Sequence, residues 1–279
     1  MLKLLHGDCL NVMKTFDSEC IDLTVTSPPY DNLRTYNGYT FDFENIAKEL
    51  YRITKIGGVV VWIVGDATVN GSETGTSFKQ ALYFKEVGFN LHDTMIYQKG
   101  SFPPIFPKTK RYQGCFEYMF VLSKGSPKTF NGIQRDKSPN SIYTRKSKSS
   151  FRKADGSFTY NEKIDTSKKT TIELNIWKID CGYMKSTKDK EAYKHSAIFP
   201  EKLANNHIIS WSNENDTVFD PFLGSGTTGK VAKELNRNFI GIEISKEYIN
   251  IANNRILGLD KTEIHDIIMH KGEVLPKYL

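Results

Sequence analysis

The sequence contains few cysteines, and they follow no pattern. Cys9, Cys20, Cys115 and Cys181 are scattered over 279 residues, without the CxxC spacing or the nearby pair of histidines that a zinc site requires. The chain is therefore predicted to hold neither a disulfide framework nor a metal ion. Because Cys9 and Cys20 lie among apolar residues, we expect buried thiols at both positions.

Long apolar runs are absent as well. No stretch approaches the roughly 20 apolar residues that cross a bilayer. Residues 1–8 lead into a strand pattern without the apolar region or the cleavage site of a signal peptide. We therefore expect a cytoplasmic protein with no membrane partner. Its 39% of hydrophobic residues suffices for the core of one large α/β domain, with room for an insertion.

Acidic residues are scarce in one segment. Residues 124–194 contain 17 Lys and Arg against 8 Asp and Glu, a balance of +9, whereas the rest of the chain has 21 against 24, a balance of −3. Helix and strand periodicity also fades in this segment, where Ser, Thr, Lys and Asn dominate. We interpret it as an insertion that faces a polyanion; the alternative is a solvated surface insertion.

Strand and helix patterns alternate through the rest of the chain. Continuous apolar runs at residues 21–25 and 59–64 are typical of strands that are covered on both faces. Further strands are predicted at residues 2–5, 92–97, 117–123, 217–219 and 239–244. Helices are predicted at residues 9–16, 41–54, 76–87, 199–211, 227–236 and 246–257, with a turn at residues 55–58. This alternation indicates an α/β fold with a mostly parallel, doubly wound sheet.

The strand at residues 21–25 is followed by the motif Thr26-Ser27-Pro28-Pro29-Tyr30. Two consecutive prolines cannot continue a helix or a central strand, and their fixed φ angles make a rigid exit from the sheet. The Ser27 hydroxyl, the Pro28 carbonyl and the Tyr30 ring are thereby held as a pair of acceptors beside a flat aromatic face. We interpret this corner as a binding site for a planar group that carries an amine.

A second motif, Asp-Pro-Phe-Leu-Gly-Ser-Gly-Thr-Thr, occupies residues 220–228 between a predicted strand and a predicted helix. Its glycines permit a tight turn and a close approach of the backbone to a ligand, and its threonines begin the helix with unpaired N–H groups. A phosphate loop is disfavoured because the Gly-Lys-Ser/Thr ending is missing. Glu243 ends the next strand about twenty residues later, where such folds bind a ribose diol. A nucleoside-bearing cofactor is implied.

Together, the two motifs resemble those of the amino-methylating DNA methyltransferases that use S-adenosylmethionine. In that family, an Asp/Asn/Ser-Pro-Pro-aromatic motif accepts hydrogen bonds from the exocyclic amine of a base, and an Asp/Asn-Pro-Phe-x-Gly-x-Gly-Thr-Thr motif binds the methionine part of the cofactor. The catalytic motif comes first and the basic segment lies between the two, which is the β-class order. The resemblance covers nearly the whole chain and implies a Rossmann-like methyltransferase fold.

The resemblance also implies a division of the chain. Residues 1–123 would form the catalytic half of the methyltransferase domain, and residues 195–259 the half that binds the cofactor. Residues 124–194 would be an inserted target-recognition region, and residues 260–279 a C-terminal tail.

Site residues follow from the resemblance in the same way. In the catalytic motif, Ser27 and Pro28 contact the amine, Pro29 keeps the segment rigid, and Tyr30 stacks on the base. The implied cofactor-binding residues are Asp8, Thr26, His195, Ala197, Phe199, Asp220, Pro221, Phe222, Gly224, Ser225, Gly226, Thr227, Thr228 and Glu243. The implied DNA-binding residues are Arg34, Tyr36, Arg111, Arg135, Arg145, Lys146, Arg152 and Lys153.

Two of these assignments have a structural alternative. Asp8 is expected to face the adenine of the cofactor and the segment around His195 its methionine moiety, but His195 could simply cap the helix that begins near Pro200. Arg111 sits, with Glu117, where the family has a segment that helps to hold the extruded base, but the two residues could equally form a surface ion pair.

Ser27 is the main indication of the target base. Within the family, Ser-Pro-Pro-Tyr is mostly associated with cytosine methylated at N4, and Asp-Pro-Pro-Tyr with adenine methylated at N6. A hydroxyl can donate to the ring nitrogen beside the amine of cytosine, whereas an ionised Asp can only accept; adenine has such a nitrogen too. We expect direct methyl transfer to N4 of a flipped cytosine, with adenine N6 as the alternative.

Other functions and partners are compatible with the sequence. A non-catalytic DNA-binding protein of this fold is disfavoured by the intact Ser27, Tyr30, Gly224 and Glu243. Methylation of a protein glutamine, which related proteins perform with Asn at the first motif position, is disfavoured by Ser27 and the basic insertion. Double-stranded DNA is the expected partner. The resemblance also allows a cognate restriction endonuclease and a homodimer.

Overall fold

The structure is a computed structural model, and it describes residues 1–29, 41–101, 110–141, 144–145, 149–161, 164–165, 168–194, 198–258 and 264–266. The chain forms two compact units. The first consists of Met1–Asn131 and Asn175–Leu279, and the second of Gly132–Leu174.

The strands and helices are numbered in chain order. The strands are β1 (Leu2–His6), β2 (Ile21–Thr26), β3 (Thr54–Val64), β4 (Thr68–Val69), β5 (Ser72–Glu73), β6 (Asn90–Lys99), β7 (Phe116–Ser123), β8 (Gln134–Asp136), β9 (Thr144–Arg145), β10 (Ser149–Arg152), β11 (Phe158–Asn161), β12 (Ile164–Asp165), β13 (Thr170–Ile172), β14 (Ile176–Ile179), β15 (Thr217–Asp220), β16 (Asn238–Glu243) and β17 (Ile264–Asp266). The α-helices are α1 (Cys9–Met13), α2 (Phe43–Ile53), α3 (Thr76–Val87), α4 (Glu201–Trp211), α5 (Thr227–Glu234) and α6 (Lys246–Leu257). Among the described residues, no helix is long and apolar enough to cross a bilayer.

Within the described ranges, the first unit contains a nine-stranded sheet in the order β14-β6-β7-β3-β2-β15-β16-β1-β17. From β3 to β17 in this order, every strand runs parallel to its neighbour. Strand β14 is also parallel to β6, whereas β7 is antiparallel to both β3 and β6. The predicted α/β fold with a mostly parallel sheet is confirmed.

Helices cover both faces of this sheet. On one face, α1, α2 and α3 pack on a core that includes Trp62 of β3 and Ile240 of β16. Because side chains alternate along a strand, Phe239 points to the opposite face, where Gly229 of α5 lies so close to its ring that a Cβ would not fit. Cys9 is buried in the core beneath α1, α2 and α3, as predicted, but Cys20 is only partly buried.

The second unit, Gly132–Leu174, spans fewer residues than the predicted insertion at residues 124–194. Its described residues form three small antiparallel sheets, made by β8 with β13, β9 with β12, and β10 with β11. Residues 175–194 belong to the first unit, because β14 extends the large sheet by pairing with β6. The role of residues 124–194 in target recognition stays a prediction.

Several element boundaries differ from those predicted. Strand β3 begins directly where α2 ends, so the predicted turn at residues 55–58 lies inside a strand. The chain turns locally at Gly57, which has a φ of +82° and where a Cβ would lie 2.8 Å from the Cβ of Lys128. Helix α1 ends at Met13, three residues earlier than predicted. The predicted C-terminal tail is not wholly separate, because β17 pairs with β1 at the edge of the sheet.

Candidate active site

The two sequence motifs leave the sheet side by side. Strand β2 ends at Thr26 and the adjacent parallel strand β15 ends at Asp220, so that both motifs begin at the same edge. The Thr26 hydroxyl donates a hydrogen bond of 2.7 Å to the Asp220 carboxylate, between side chains that are both buried. The two motifs are thus tied together at their first residues.

Asp220 organises the start of the second motif. Besides the Thr26 hydroxyl, its Oδ1 accepts the backbone N–H of Phe222 at 3.0 Å. Burial raises the pKa of Asp220 to about 6, against the lowering effect of hydrogen bonds from Thr26, Phe222 and Thr228. The single hydrogen of the Thr228 hydroxyl is shared between this carboxylate and the Val25 carbonyl, which lies 3.3 Å from the hydroxyl oxygen. The Asp220 carboxylate therefore binds groups of the protein itself and fixes the start of the turn.

The turn itself depends on glycine. Gly224 and Gly226 have φ angles of +52° and +82°, in the left-handed region that favours glycine. A Cβ on Gly226 would lie 2.8 Å from the Cβ of Ala252 on α6. The turn can therefore lie this close to α6 only with glycine at that position, and α5 begins directly after it.

Glu243, predicted to bind the ribose, ends β16 next to this turn. Its Oε2 accepts the backbone N–H of Gly224 at 2.8 Å, and its Oε1 accepts the N–H of Ser245 at 2.8 Å. Burial raises the pKa of Glu243, against the lowering effect of these backbone hydrogen bonds. The backbone of Ile244 also hydrogen-bonds to this carboxylate, so three of its four acceptor positions are occupied and one is left.

Asp8, predicted to face the adenine, lies at the same edge of the sheet. Strand β1 pairs with β16 so that His6 is opposite Glu243, and the N–H of Gly7 donates to the Glu243 carbonyl at 2.9 Å. The Asp8 side chain caps α1 by accepting the N–H of Asn11 at 3.0 Å. The structure thus brings Asp8 close to Glu243 and gives it a structural role as the cap of α1.

Phe222 anchors the glycine turn of the second motif to an aromatic cluster. Its ring contacts Phe41 and Trp62, with centroid separations of 5.7 Å and 6.1 Å. The Trp62 indole donates to the Gln80 side chain at 2.8 Å, so the ring orientation is fixed. Neither Trp62 nor Phe41 was marked by its sequence context as part of the site, because both fit ordinary core patterns.

Arg255 is a further residue that the sequence did not reveal. It lies on α6 with only 1% of its side chain exposed. The guanidinium donates to the carbonyl and the hydroxyl of Ser225 and to the hydroxyl of Thr227. The side chains of Ser225 and Thr227, predicted to bind the cofactor, are therefore directed towards Arg255. The available signal in the sequence was its position four residues after the buried Ile251, which places Arg255 on the same face of α6.

Other predicted site residues lie elsewhere or outside the described ranges. In the catalytic motif, Pro28 is buried, while Ser27 and Pro29 are partly buried, as is Phe199. Pro221 is buried in the cofactor turn. The residues outside the described part of the chain are Tyr30, Arg34, Tyr36, Lys146, His195 and Ala197.

Arg111 and Glu117 do not pair with each other. Arg111 lies 3.5 Å from Glu73 and donates to the Gly71 carbonyl, whereas Glu117 forms an ion pair of 2.7 Å with Lys99. Each residue therefore forms an ion pair, as the structural alternative has it, but with a different partner and not with the other. The placement of Arg111 on DNA stays a prediction.

The second unit carries the other predicted DNA-binding residues. Arg135 lies 3.4 Å from Glu173, and Arg145 is on β9 opposite Ile164. Arg152 ends β10 and Lys153 follows it, and both are exposed. In the described residues, no group of three or more His, Cys, Asp or Glu side chains is arranged to hold a metal ion.

Comparison with known proteins gives consistent matches. Residues 21–254 match a family described as DNA methylase, N6_N4_Mtase. The orphan methyltransferase M.BamHII of Bacillus amyloliquefaciens is 58% identical over 262 residues, which cover 93% of this chain and 95% of that protein. The type II methyltransferase M.HinfI of Haemophilus influenzae is 30% identical over 299 residues, which cover 98% of this chain and 73% of that protein.

Two solved structures have a similar fold. The cytosine-N4-specific PvuII DNA methyltransferase has a TM-score of 0.68 at 22% identity, with 94% of this chain and 88% of that chain covered. The complex of M1.HpyAVI with SAM has a TM-score of 0.60 at 21% identity, with 92% and 100% covered. These likenesses confirm the predicted Rossmann-like methyltransferase fold.

Proposed function

The chain belongs to the family of S-adenosylmethionine-dependent DNA amino-methyltransferases, and from this premise we propose that its target is the N4 amine of cytosine in double-stranded DNA. The observation that carries the proposal is the hydrogen bond of 2.7 Å between Thr26 and Asp220. It ties the end of the strand that leads to Ser27 to the start of the cofactor turn. A methyl acceptor held at Ser27 and a donor held at the turn would therefore be neighbours.

The residues at the turn fit a nucleoside with an amino-acid tail. Glu243 keeps an acceptor position for a ribose hydroxyl, and the first turn of α5 begins with N–H groups that have no partner within the helix. Asp8 lies beyond the paired strand ends of β1 and β16. We propose that these residues bind S-adenosylmethionine, which supplies a methyl group on a sulfonium, a good electrophile.

Ser27 and Pro28 would activate the acceptor. An exocyclic amine conjugated with its ring is a poor nucleophile, since its lone pair is delocalised. The Ser27 hydroxyl and the Pro28 carbonyl can accept both amine hydrogens, so that the nitrogen becomes more tetrahedral and its lone pair is localised. Positioning and electrostatics then carry the reaction. The motif contains no Cys nucleophile, so direct transfer without a covalent enzyme intermediate is proposed.

Cytosine is favoured over adenine by the hydroxyl of Ser27. In addition to accepting from the amine, a hydroxyl can donate to the adjacent ring nitrogen, which an ionised carboxylate cannot do. The similarity in fold to a cytosine-N4-specific enzyme supports the same choice. Adenine N6 is the competing target, because its ring also carries an acceptor beside the amine.

The target base is tested by methyl transfer to mixed-sequence DNA, followed by mass analysis of the nucleosides. We expect N4-methylcytosine, and sequencing of the modified positions would give the recognition site. A Ser27→Ala variant is the control and should lose most of the product while it still binds S-adenosylmethionine. Recovery of N6-methyladenine alone would overturn the choice of cytosine, although DNA methylation itself would stand.

The second unit is proposed to contact the DNA. Its ten Lys and Arg against five Asp and Glu, 10 − 5 = +5, complement the phosphates. Strands β10 and β11 form an antiparallel ribbon in which Arg152 is opposite Phe158, whose side chain is 52% exposed. A two-stranded ribbon is narrow enough to enter a major groove. Arg34, Tyr36, Arg111, Arg135, Arg145 and Lys146 stay predicted DNA contacts.

Removing the two basic residues of this ribbon should weaken DNA binding. For Arg152→Ala combined with Lys153→Ala, we expect the slope of log K against log salt concentration to become less steep by about 0.9 for each lost phosphate contact. Binding affinity for DNA duplexes of several sequences, measured at several salt concentrations, gives this slope. Lys85→Ala, an exposed substitution on α3, is the matched control. An unchanged slope would show that Arg152 and Lys153 do not contact the phosphates of the DNA.

Partners beyond DNA are proposals of a different kind. The relative at 58% identity is called an orphan methyltransferase, which favours an enzyme that acts without a cognate restriction endonuclease. The type II relative at 30% identity supports the opposite arrangement, within a restriction-modification system. A homodimer stays a prediction. Because the relatives are bacterial and the substrate is DNA, we propose the cytoplasm as the site of action.

A further inference from the structure

We propose that Arg255 is a positioning residue that sets the affinity for S-adenosylmethionine by fixing the backbone of the cofactor turn. The inference rests on the proposed binding of the cofactor by residues 220–228. Arg255 is not expected to touch the cofactor or the base. Its effect would pass through Ser225 and Thr227, with which it forms hydrogen bonds.

The turn is held from two sides. On one side, Glu243 accepts the N–H of Gly224 at 2.8 Å. On the other, the Arg255 guanidinium donates to the Ser225 carbonyl, to the Ser225 hydroxyl at 3.2 Å and to the Thr227 hydroxyl at 3.3 Å. Gly226, between these contacts, has a φ of +82° and no side chain to restrain it. Without Arg255, this backbone would keep the hydrogen bond from the Gly226 N–H to the Leu223 carbonyl but lose its side-chain contacts with α6.

Arg255 is itself held by two carboxylates. Its Nε lies 2.7 Å from Asp189 and its Nη2 lies 3.2 Å from Glu201. The same oxygen of Glu201 accepts Lys230 at 2.7 Å and the Thr187 hydroxyl at 2.6 Å. All the guanidinium nitrogens therefore have acceptors, and the planar fork has a single orientation. A lysine could supply the charge but not these directed contacts.

Net stability is a poor reason for such an arrangement. A buried ion pair seldom stabilises a protein more than apolar side chains of similar volume would, because both charges lose their hydration. The Arg255 side chain is 1% exposed, and those of Asp189 and Glu201 are each 25% exposed. What the ion pairs provide here and apolar side chains could not is a set of directed hydrogen bonds to the turn.

The alternative is that Arg255 only joins α6 to the segments around it. A purely structural contact would change the free energy of unfolding and leave the affinity of the folded protein for S-adenosylmethionine unchanged. A positioning residue would instead raise the KM for S-adenosylmethionine and leave kcat at saturating cofactor nearly as it was. The two possibilities therefore differ in a measurable way.

Calorimetric titration of the full chain with S-adenosylmethionine tests the proposal. For Arg255→Lys, we expect about tenfold weaker binding, equivalent to about 1.4 kcal/mol, and a kcat at saturating cofactor within about twofold of the original. Arg52→Lys is the matched control. Arg52 binds the carbonyls of Met13 and Phe16 and the Glu49 carboxylate, at the opposite end of the strands. This control should lower Tm without a change in affinity.

A second variant is needed in case Arg255→Lys does not fold. Asp189→Asn keeps Arg255 and a hydrogen-bond acceptor but removes one counter-charge, and we expect it to weaken cofactor binding by about threefold, as for loss of a partly exposed ion pair. Affinity that is unchanged in both Arg255→Lys and Asp189→Asn, with a fall in Tm, would overturn the proposal and leave a structural contact.

Glu243→Gln separates this proposal from the assignment of the cofactor turn. If Glu243→Gln weakens binding and Arg255→Lys does not, the turn binds the cofactor and the role proposed for Arg255 is wrong. If neither affects binding, the turn is not the cofactor site and both proposals fail. If both weaken binding, a double variant should show less than the summed effect, since both residues hold the same turn.

Discussion

Replacing Tyr30 with alanine is expected to remove most of the turnover while S-adenosylmethionine binding is largely retained. The target amine cannot be reached inside a duplex, so the base must be flipped out at a cost of a few kcal/mol. Stacking of a base on an aromatic ring contributes about 1–3 kcal/mol, which corresponds to a loss in kcat/KM for DNA of about 5-fold to 150-fold. Tyr30 follows the two prolines at the end of the catalytic motif, and this stacking is the role proposed for it.

Tyr30→Phe is the matched variant for this prediction. It keeps the aromatic face and removes only the hydroxyl, so it should retain most of the activity. Single-turnover methylation of a short duplex and calorimetric titration with S-adenosylmethionine would be measured on both variants. Equal losses of turnover and cofactor affinity in Tyr30→Ala would show that the ring supports the cofactor site and would contradict a role in base stacking.

The sequence could predict the two motifs because their information is local. Consecutive prolines after an apolar run require a rigid exit from a strand, and the glycines at 224 and 226 require a tight turn. In a parallel sheet the carboxyl ends of the strands share one edge, so the meeting of Thr26 with Asp220 followed from the two strands being parallel neighbours. The structure supplies that adjacency and adds the hydrogen bond between them.

The contacts of Arg255 could not be predicted in this way. Asp189 lies 66 residues before it in the chain, and Glu201 lies 54 residues before it. A single arginine in the last turn of an amphipathic helix is usually a surface residue whose positive charge interacts favourably with the helix dipole. Only the packing of α6 on the glycine turn buries its side chain. The same limit applies to Arg111, whose partner Glu73 is on a separate short strand.

A change in Asp220 should alter how stability depends on pH. Burial raises the pKa of this carboxyl from 3.8 to about 6 in the folded protein. Between these two values the folded state binds more protons than the unfolded state, so the free energy of unfolding should fall as the pH rises from 4 to 6. For a shift of this size the fall is on the order of 3 kcal/mol, as an upper limit.

Asp220→Asn is expected to remove most of this dependence. The Asn oxygen can still accept from the Thr26 hydroxyl and the Phe222 N–H, and its amide nitrogen can donate to the Thr228 hydroxyl. The variant should therefore gain stability relative to the original protein at pH 7 and differ little from it at pH 4. Urea unfolding at several pH values between 4 and 7 measures the difference.

Asp220→Ala separates the charge of this residue from its hydrogen bonds. Alanine leaves the buried Thr26 hydroxyl and the Phe222 N–H without their acceptor, which costs about 1–3 kcal/mol for each group. This loss should be present at every pH, in contrast to the effect of asparagine. Glu243, whose pKa is also raised by burial, gives a slope of the same sign and should account for what remains in Asp220→Asn. A slope that is unchanged in Asp220→Asn would show that Asp220 is ionised throughout this range, and that the hydrogen bonds from Thr26 and Phe222 outweigh its burial.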